Sequence, residues 1–177
     1  MPSPSARFLR RIAAATFFLA SPALAEDPPQ QMHSVTLGAG SGLSLGSAGG
    51  NATWGTHSPA FLDVRWRTWH STEARFVYGL GLRAEVDGRT SIGVVPRFEF
   101  SRTVRRTTLR PGLGFVYFFA PFRLAGPEAS LAVEFRLGSV VSLQWQLLLD
   151  VFFIGNDVPA QSAIFAANGV FGVTLHL

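Results

Sequence analysis

Hydrophobic and polar residues alternate with a period of two along much of the chain. In the clearest segment, residues 75–86, the even-numbered positions are all apolar, whereas five of the six odd-numbered positions carry a charge or a glycine. Successive side chains of a β-strand point to opposite faces of a sheet. The pattern therefore predicts a strand that separates an apolar surrounding from a polar one.

Eight segments share this alternation, and we expect each of them to form a strand. The links that join them are alternately short and long, which is typical of membrane barrels with turns at one end and loops at the other. Only the link at residues 86–91 is short where a loop is expected. The predicted strands are residues 33–47, 62–67, 75–86, 91–101, 109–119, 131–138, 144–153 and 162–177. The short links are 70–74, 102–107 and 138–142, and the long ones are 48–60, 120–129 and 155–161.

An amphipathic sheet of eight strands can close in two ways. A soluble barrel of the lipocalin type has its apolar face inside, whereas an outer-membrane barrel turns that face to lipid and fills its lumen with polar side chains. Eight strands enclose too little room for the many aromatic rings on the apolar face. An arginine that faced lipid near the midplane would cost about 2–4 kcal/mol. We therefore expect an all-β, eight-stranded antiparallel up-and-down transmembrane β-barrel whose arginine-bearing face is inside.

The inward face of such a barrel would hold seven arginines and five carboxylates. In a lumen too narrow for bulk water, charges persist only when they are paired and hydrogen-bonded, and the planar arginine fork suits carboxylate partners. One interpretation is a plug of ion pairs. The alternative is a small or gated channel whose surplus of arginine selects anions. The predicted lumen network consists of Asp63, Arg65, Arg67, Arg75, Arg83, Glu85, Arg97, Glu99, Arg110, Glu134, Arg136 and Asp150.

The first 25 residues have the features of a secretory signal peptide in the expected order. Three arginines precede an apolar stretch at residues 12–20, and Ala23-Leu24-Ala25 forms a small-x-small cleavage site. Cleavage leaves residues 26–177 as a single barrel domain. It also leaves twelve arginines, the only basic residues besides histidine, against eleven acidic residues, so that the formal charge falls from +4 to +1. The argument for a nucleic-acid partner disappears with that change.

Few motifs in the sequence point to chemistry. Residues 42–46 match G-x-S-x-G, but they lie in a predicted glycine-rich strand and not at the strand-to-helix turn that this motif requires. Three His-Ser pairs, at residues 33–34, 57–58 and 70–71, invite comparison with the outer-membrane lipid A deacylases, yet none has their His-x-Ser arrangement. The chain has no cysteine, and its four histidines lack metal-ligand spacing. We expect no enzyme activity, cofactor or metal, and lipid A modification is the enzymatic alternative.

The end of the chain resembles a known signal. Gly172, Leu175 and Leu177 resemble the C-terminal assembly signal of bacterial outer-membrane proteins, although Leu177 stands where that signal usually has phenylalanine. With its leader and eight strands, the whole chain resembles the small eight-stranded barrels of the OmpA/OmpX type. The resemblance implies a location in the cell outer membrane and periplasmic N- and C-termini. It also implies contact with outer-membrane lipid, lipopolysaccharide and the outer-membrane assembly machinery.

The expected function is therefore that of a non-enzymatic component of the Gram-negative cell envelope. It would act structurally, in adhesion or in complexes with other envelope proteins, through its loops and turns. Arg102, Arg105 and Arg106 cluster in one periplasmic turn. They are candidates for contact with inner-leaflet phosphates or with a periplasmic partner, and a solvated basic turn is the simpler interpretation.

Overall fold

The computed structural model describes residues 32–48, 51–70, 75–86, 91–121, 123–155, 158 and 162–177, and the predicted signal peptide lies outside them. The described part contains eight long strands and two short ones. Of the short ones, Arg102–Val104 continues the fourth long strand towards the fifth, and Ile154–Gly155 continues the seventh. The long strands are β1 (Met32–Ala48), β2 (Asn51–Trp69), β3 (Phe76–Glu85), β4 (Ser91–Phe100), β5 (Thr107–Ala120), β6 (Leu124–Arg136), β7 (Val141–Phe152) and β8 (Ser162–His176).

The long strands form one closed sheet. Each pairs antiparallel with the next along the chain, and β1 also pairs antiparallel with β8. In this closing pair Ser34 lies opposite His176, and Leu37 lies opposite Val173. Closure removes the free edges that an open sheet would have. The predicted eight-stranded antiparallel barrel is confirmed.

Two of the predicted long loops are strand instead. Most of residues 48–60 lie in β2, and β6 begins at Leu124, within the loop predicted at 120–129. Glycine and proline interrupt the sequence alternation there, but pairing with a neighbouring strand keeps the backbone extended: Pro127 lies opposite Phe115 of β5. The predicted contrast between short turns and long loops therefore holds only for the link that precedes β8.

Burial in the barrel is the reverse of that in a soluble globular protein. Leu113 is 70% exposed and Phe171 is 60% exposed, whereas Arg65, Arg67 and Arg83 are at most 2% exposed. The apolar positions of the sequence pattern thus point outward and the arginines inward, which excludes the lipocalin-type arrangement. A continuous outer belt of large apolar side chains is unfavourable in water and matches a lipid surrounding. No helix in the described residues is long and apolar enough to cross a bilayer.

Candidate functional site

The interior of the barrel holds buried polar side chains from all eight long strands. β2 supplies Asp63, Arg65 and Arg67 because every second residue of a strand lies on the same face. Small residues on other strands make room for the long side chains. A Cβ atom at Gly114, for example, would lie 2.8 Å from Cγ of Arg97, which is too close for an unstrained contact. The inward glycines are therefore a condition for packing arginines in so narrow a lumen.

Glu128 of β6 is the centre of the charge network. Its carboxylate accepts hydrogen bonds from Nε and Nη2 of Arg97, the second at 2.8 Å, and from Nη2 of Arg83 at 2.6 Å. Arg83 also donates through Nη1 to Oδ2 of Asp150 at 3.1 Å. The arginines belong to β3 and β4 and the carboxylates to β6 and β7, so these contacts cross the lumen.

Asp63 links the arginines on its own side of the barrel. Its Oδ1 accepts a hydrogen bond from Nη2 of Arg65 at 2.8 Å. Its Oδ2 lies 3.5 Å from Nη2 of Arg97 and 3.6 Å from Nε of Arg83. Arg65 in turn lies 3.6 Å from Glu99. These ion pairs join the contacts around Glu128 to a second group of charges closer to the chain termini.

Arg67 organises that second group. Its Nε donates to Oε2 of Glu99 at 2.8 Å, its Nη2 to Oε1 of Gln144 at 2.9 Å and its Nη1 to Oγ1 of Thr36 at 2.7 Å. The hydroxyl of Thr36 lies 2.8 Å from that of Thr174 on β8. One guanidinium therefore ties together β1, β2, β4 and β7, and a hydroxyl pair extends the contact to β8. Such a fully buried cation is stable only because each of its nitrogen atoms has an acceptor.

A smaller cluster lies at the end of the barrel that carries both termini. Nη1 of Arg110 contacts Oε2 of Glu134. Nε2 of His176 lies 3.0 Å from Oε1 of Glu134 and 2.9 Å from Oγ of Ser142. Serine, histidine and carboxylate thus meet, but serine and carboxylate contact the same ring nitrogen. A nucleophile, base and acid triad uses both ring nitrogens, so this cluster lacks the triad geometry.

Buried apolar side chains lie towards the opposite end of the barrel. Phe61, Leu148 and Val170 form one buried cluster, and the guanidinium carbon of Arg83 lies 4.7 Å from the centroid of the Phe61 ring. The residues of this cluster, and of a second one, occupy strand positions that the alternation gives to polar groups, so the sequence did not predict either cluster. A larger cluster consists of Val95, Val116, Phe118, Leu124, Phe152 and Ala166, with Val158 and Ile164 packed against it.

Ten of the twelve residues predicted to face the lumen are buried inside the barrel. The other two, Arg75 and Arg136, are exposed at the end with the termini, because they lie just before the start of β3 and at the end of β6. Glu128 is buried although the sequence predicts a loop there. Among the described residues the buried charges are therefore five arginines and six carboxylates, without the predicted arginine surplus. They are Arg65, Arg67, Arg83, Arg97, Arg110, Asp63, Glu85, Glu99, Glu128, Glu134 and Asp150.

The predicted assembly signal lies at the end of β8. Gly172 is buried, and a Cβ atom there would lie 2.7 Å from the backbone oxygen of Leu37. Leu175 and Leu177 point outward and are 45% and 68% exposed. A glycine is thus required where β1 and β8 approach closely, and the role of the three residues in assembly stays a prediction.

The remaining candidate residues lie apart from one another. Arg105 and Arg106 are exposed in the turn between β4 and β5, and Arg102 is exposed in the short strand that precedes this turn. The ring of His33 packs against Trp66 with 5.1 Å between centroids. Residues 42–46, the G-x-S-x-G match, lie within β1, and the side chain of residue 57 lies outside the described residues. Within the described part of the chain, no three His, Cys, Asp or Glu side chains are placed to hold a metal ion.

Comparisons with known proteins bear on the fold. No protein-family model and no curated protein matches the sequence. Among solved structures, the chain is similar to Neisserial surface protein A, with a TM-score of 0.56 and 8% identity over 81% of this chain and 96% of that one. It also aligns with Ail, the attachment invasion locus protein of Yersinia pestis, with a TM-score of 0.43 and 10% identity over 82% of this chain and 98% of Ail. Together with the closed barrel, the likeness to Neisserial surface protein A gives the chain the architecture of the small eight-stranded outer-membrane β-barrels.

Proposed function

We propose that the protein is an integral component of the outer membrane, exported by its leader and inserted with both termini in the periplasm. The belt of outward apolar side chains supports insertion. Trp66, Tyr78, Tyr117 and Trp145 are among the belt residues and are 40–51% exposed. Aromatic residues of this kind flank the lipid-facing band of membrane barrels. Purified protein should show β-type circular dichroism in detergent and migrate faster on gels before boiling, and solubility in water without detergent would contradict insertion.

The orientation can be tested because the chain contains no cysteine. Arg123 and Arg106 are exposed at opposite ends of the barrel. In intact cells a maleimide that cannot cross membranes should label an Arg123→Cys variant, and it should label Arg106→Cys only after the outer membrane has been permeabilised. The reverse labelling pattern would place the termini outside the cell.

We further propose that the lumen is plugged. The observation that carries this proposal is the buried network from Arg67 to Asp150, which crosses the lumen, together with the apolar clusters beyond it. Planar bilayers that contain the protein should show no reproducible channel openings, with a general porin as the positive control. Reproducible anion-selective openings would overturn the plug. The predicted anion preference also lacks support from charge, because carboxylates outnumber arginines by six to five among the buried side chains of the described residues.

With a plugged lumen, the protein would act through its two ends, in a structural, adhesive or complex-forming role in the envelope. Its surroundings would be outer-membrane lipid and lipopolysaccharide. Crosslinking followed by pull-down from native envelopes should recover a partner at one of the ends. Two results together would argue against all three roles. The protein would crosslink to no partner, and a strain without it would keep its envelope integrity and its attachment to cells.

The proposed role is non-enzymatic. In the Ser142, His176 and Glu134 cluster, two partners share one ring nitrogen, which does not suit general-base catalysis. Lipid A from strains with and without the protein should therefore have the same mass profile. An altered acyl pattern that depended on the protein would establish the enzymatic alternative instead.

A further inference from the structure

A cavity of about 240 Å³ opens at the end of the barrel that carries the termini. We call it the basal cavity. Its lining includes Val77 and Arg110, which point inward from β3 and β5. The cavity therefore lies inside the barrel and not on its outer surface. The charged part of its lining consists of Arg105, Arg106, Arg110, Arg136, Glu134 and His176.

The charges around the basal cavity are unbalanced. Four arginines and one carboxylate line it, and that carboxylate, Glu134, is already engaged by Arg110 and by His176. Arg105, Arg106 and Arg136 are exposed, and no carboxylate of the described residues forms an ion pair with them. In the lumen network, by contrast, every buried arginine faces at least one carboxylate. The cavity therefore offers cationic groups that the protein itself does not neutralise.

The part of the cavity that Arg110 lines is already balanced in charge. Arg110 is only 5% exposed, and its Nη1 contacts the carboxylate of Glu134. The positive charge left for a bound group therefore comes from Arg105, Arg106 and Arg136, which are exposed.

We propose that the basal cavity binds a soluble molecule that carries phosphate or carboxylate oxygens. Planar guanidinium groups bind both kinds of oxyanion through paired hydrogen bonds. The exposed Arg105, Arg106 and Arg136 receive the anion. Met32 and Trp69 add an apolar surface for the organic part of the ligand. The inference rests on the proposed function in one respect. If both termini lie in the periplasm, the basal cavity opens to the periplasm, and the ligand comes from there.

Titration calorimetry tests the proposal with inorganic pyrophosphate and succinate as probes. The protein should be the complete mature chain, residues 26–177, in nanodiscs of phosphatidylcholine, a lipid without net charge. We expect saturable binding of at least one probe with one site per chain. The double variant Arg106→Gln with Arg136→Gln should bind about tenfold more weakly, since hydrogen bonds to charged groups contribute on this scale.

The short strand before this turn supplies a matched control. Arg102 is exposed there, at the same end of the barrel, but does not line the basal cavity, so Arg102→Gln should bind as the parent does. No saturable binding of either probe, or equal weakening in the control and the double variant, would overturn the proposal. Loss of pyrophosphate binding in nanodiscs that contain phosphatidylglycerol would show that the anion is a lipid headgroup, which would also overturn it.

These outcomes are separable from failure of the proposed function. Faster gel migration before boiling reports on the barrel in every variant, whether or not the cavity binds an anion. A folded and correctly oriented barrel without binding refutes only the basal site. Protein that binds the probes but labels in the reverse orientation refutes only the periplasmic assignment.

Discussion

Glu128 is the residue whose removal should disturb the lumen most. It is 1% exposed and accepts two hydrogen bonds from Arg97 and one from Arg83. Glu128→Ala removes all three hydrogen bonds and leaves both guanidinium groups with fewer buried partners. Hydrogen bonds to charged groups contribute about 1.5–3 kcal/mol each, but removal of one partner from a buried ion pair costs about 3–5 kcal/mol in total. We therefore expect the free energy of unfolding to fall by about 3–5 kcal/mol.

Asp150→Asn is the matched comparison, because it also removes one buried negative charge. Oδ2 of Asp150 accepts hydrogen bonds from Arg83 and Asn168, whereas its Oδ1 has no partner. Asparagine retains one acceptor oxygen in that place, so the loss should be about 1–2 kcal/mol. Each variant removes one buried negative charge, so a difference between their losses in unfolding free energy reports on the hydrogen bonds that each side chain forms.

Reversible urea unfolding in lipid vesicles, followed by tryptophan fluorescence and by gel mobility, measures both losses. The slope of unfolding free energy against urea should stay unchanged if the variants affect stability and not compactness. A Glu128→Ala barrel within about 1 kcal/mol of the parent would refute the reasoning. So would equal losses in the two variants, since the network would then act as diffuse charge and not through specific pairs.

Four further variants test other parts of the barrel. Phe118→Ala should lower unfolding free energy by about 3–5 kcal/mol in the same assay, because Phe118 is 1% exposed within the larger apolar cluster; a loss below about 1 kcal/mol would contradict that packing. Gly114→Ala should cost about 1–3 kcal/mol, because its Cβ would meet Arg97 and a backbone oxygen at 2.8 Å, while Gly138→Ala, with nothing within 4 Å, should lack that clash. Arg105→Gly should be neutral or stabilising by up to about 1 kcal/mol, because Arg105 has a φ of +57° that glycine adopts freely; clear destabilisation would show that the arginine side chain supports the turn.

The strands were predictable from the sequence because the two faces of the sheet meet different surroundings. β3 and β4 carry a strict alternation, and their bounds lie within two residues of those predicted. β1 also lies within one residue of its predicted bounds, whereas β2 begins eleven residues before its predicted start, because Gly55 and Pro59 interrupt the alternation there. Such stretches become strands through pairing with a neighbour, which a single segment of sequence does not reveal.

The partners within the lumen were much less predictable. The alternation places Arg83 and Asp150 on the inward face, but they are 67 residues apart and meet only because of the barrel's register and tilt. Glu128 follows a Gly-Pro pair, which indicates a turn in isolation. Phe118 and Phe152 occupy inward positions at the strand ends, where the lumen contents change from charged to apolar. Periodicity identifies the face of a strand and carries no information about what fills each level of the lumen.

The pair that closes the barrel has a consequence for assembly. β1 and β8 meet through fifteen register pairs, from Ser34 opposite His176 to Ala48 opposite Ser162, and these residues come from the two ends of the described chain. The entropy lost on joining distant ends grows only with the logarithm of their separation, by about 0.6 kcal/mol for each doubling. Each added backbone pair, by contrast, removes two polar groups from contact with hydrocarbon. The long pairing between β1 and β8 therefore makes closure of the barrel all-or-none. Partly closed barrels, which have two unpaired strand edges in the lipid, stay at low population.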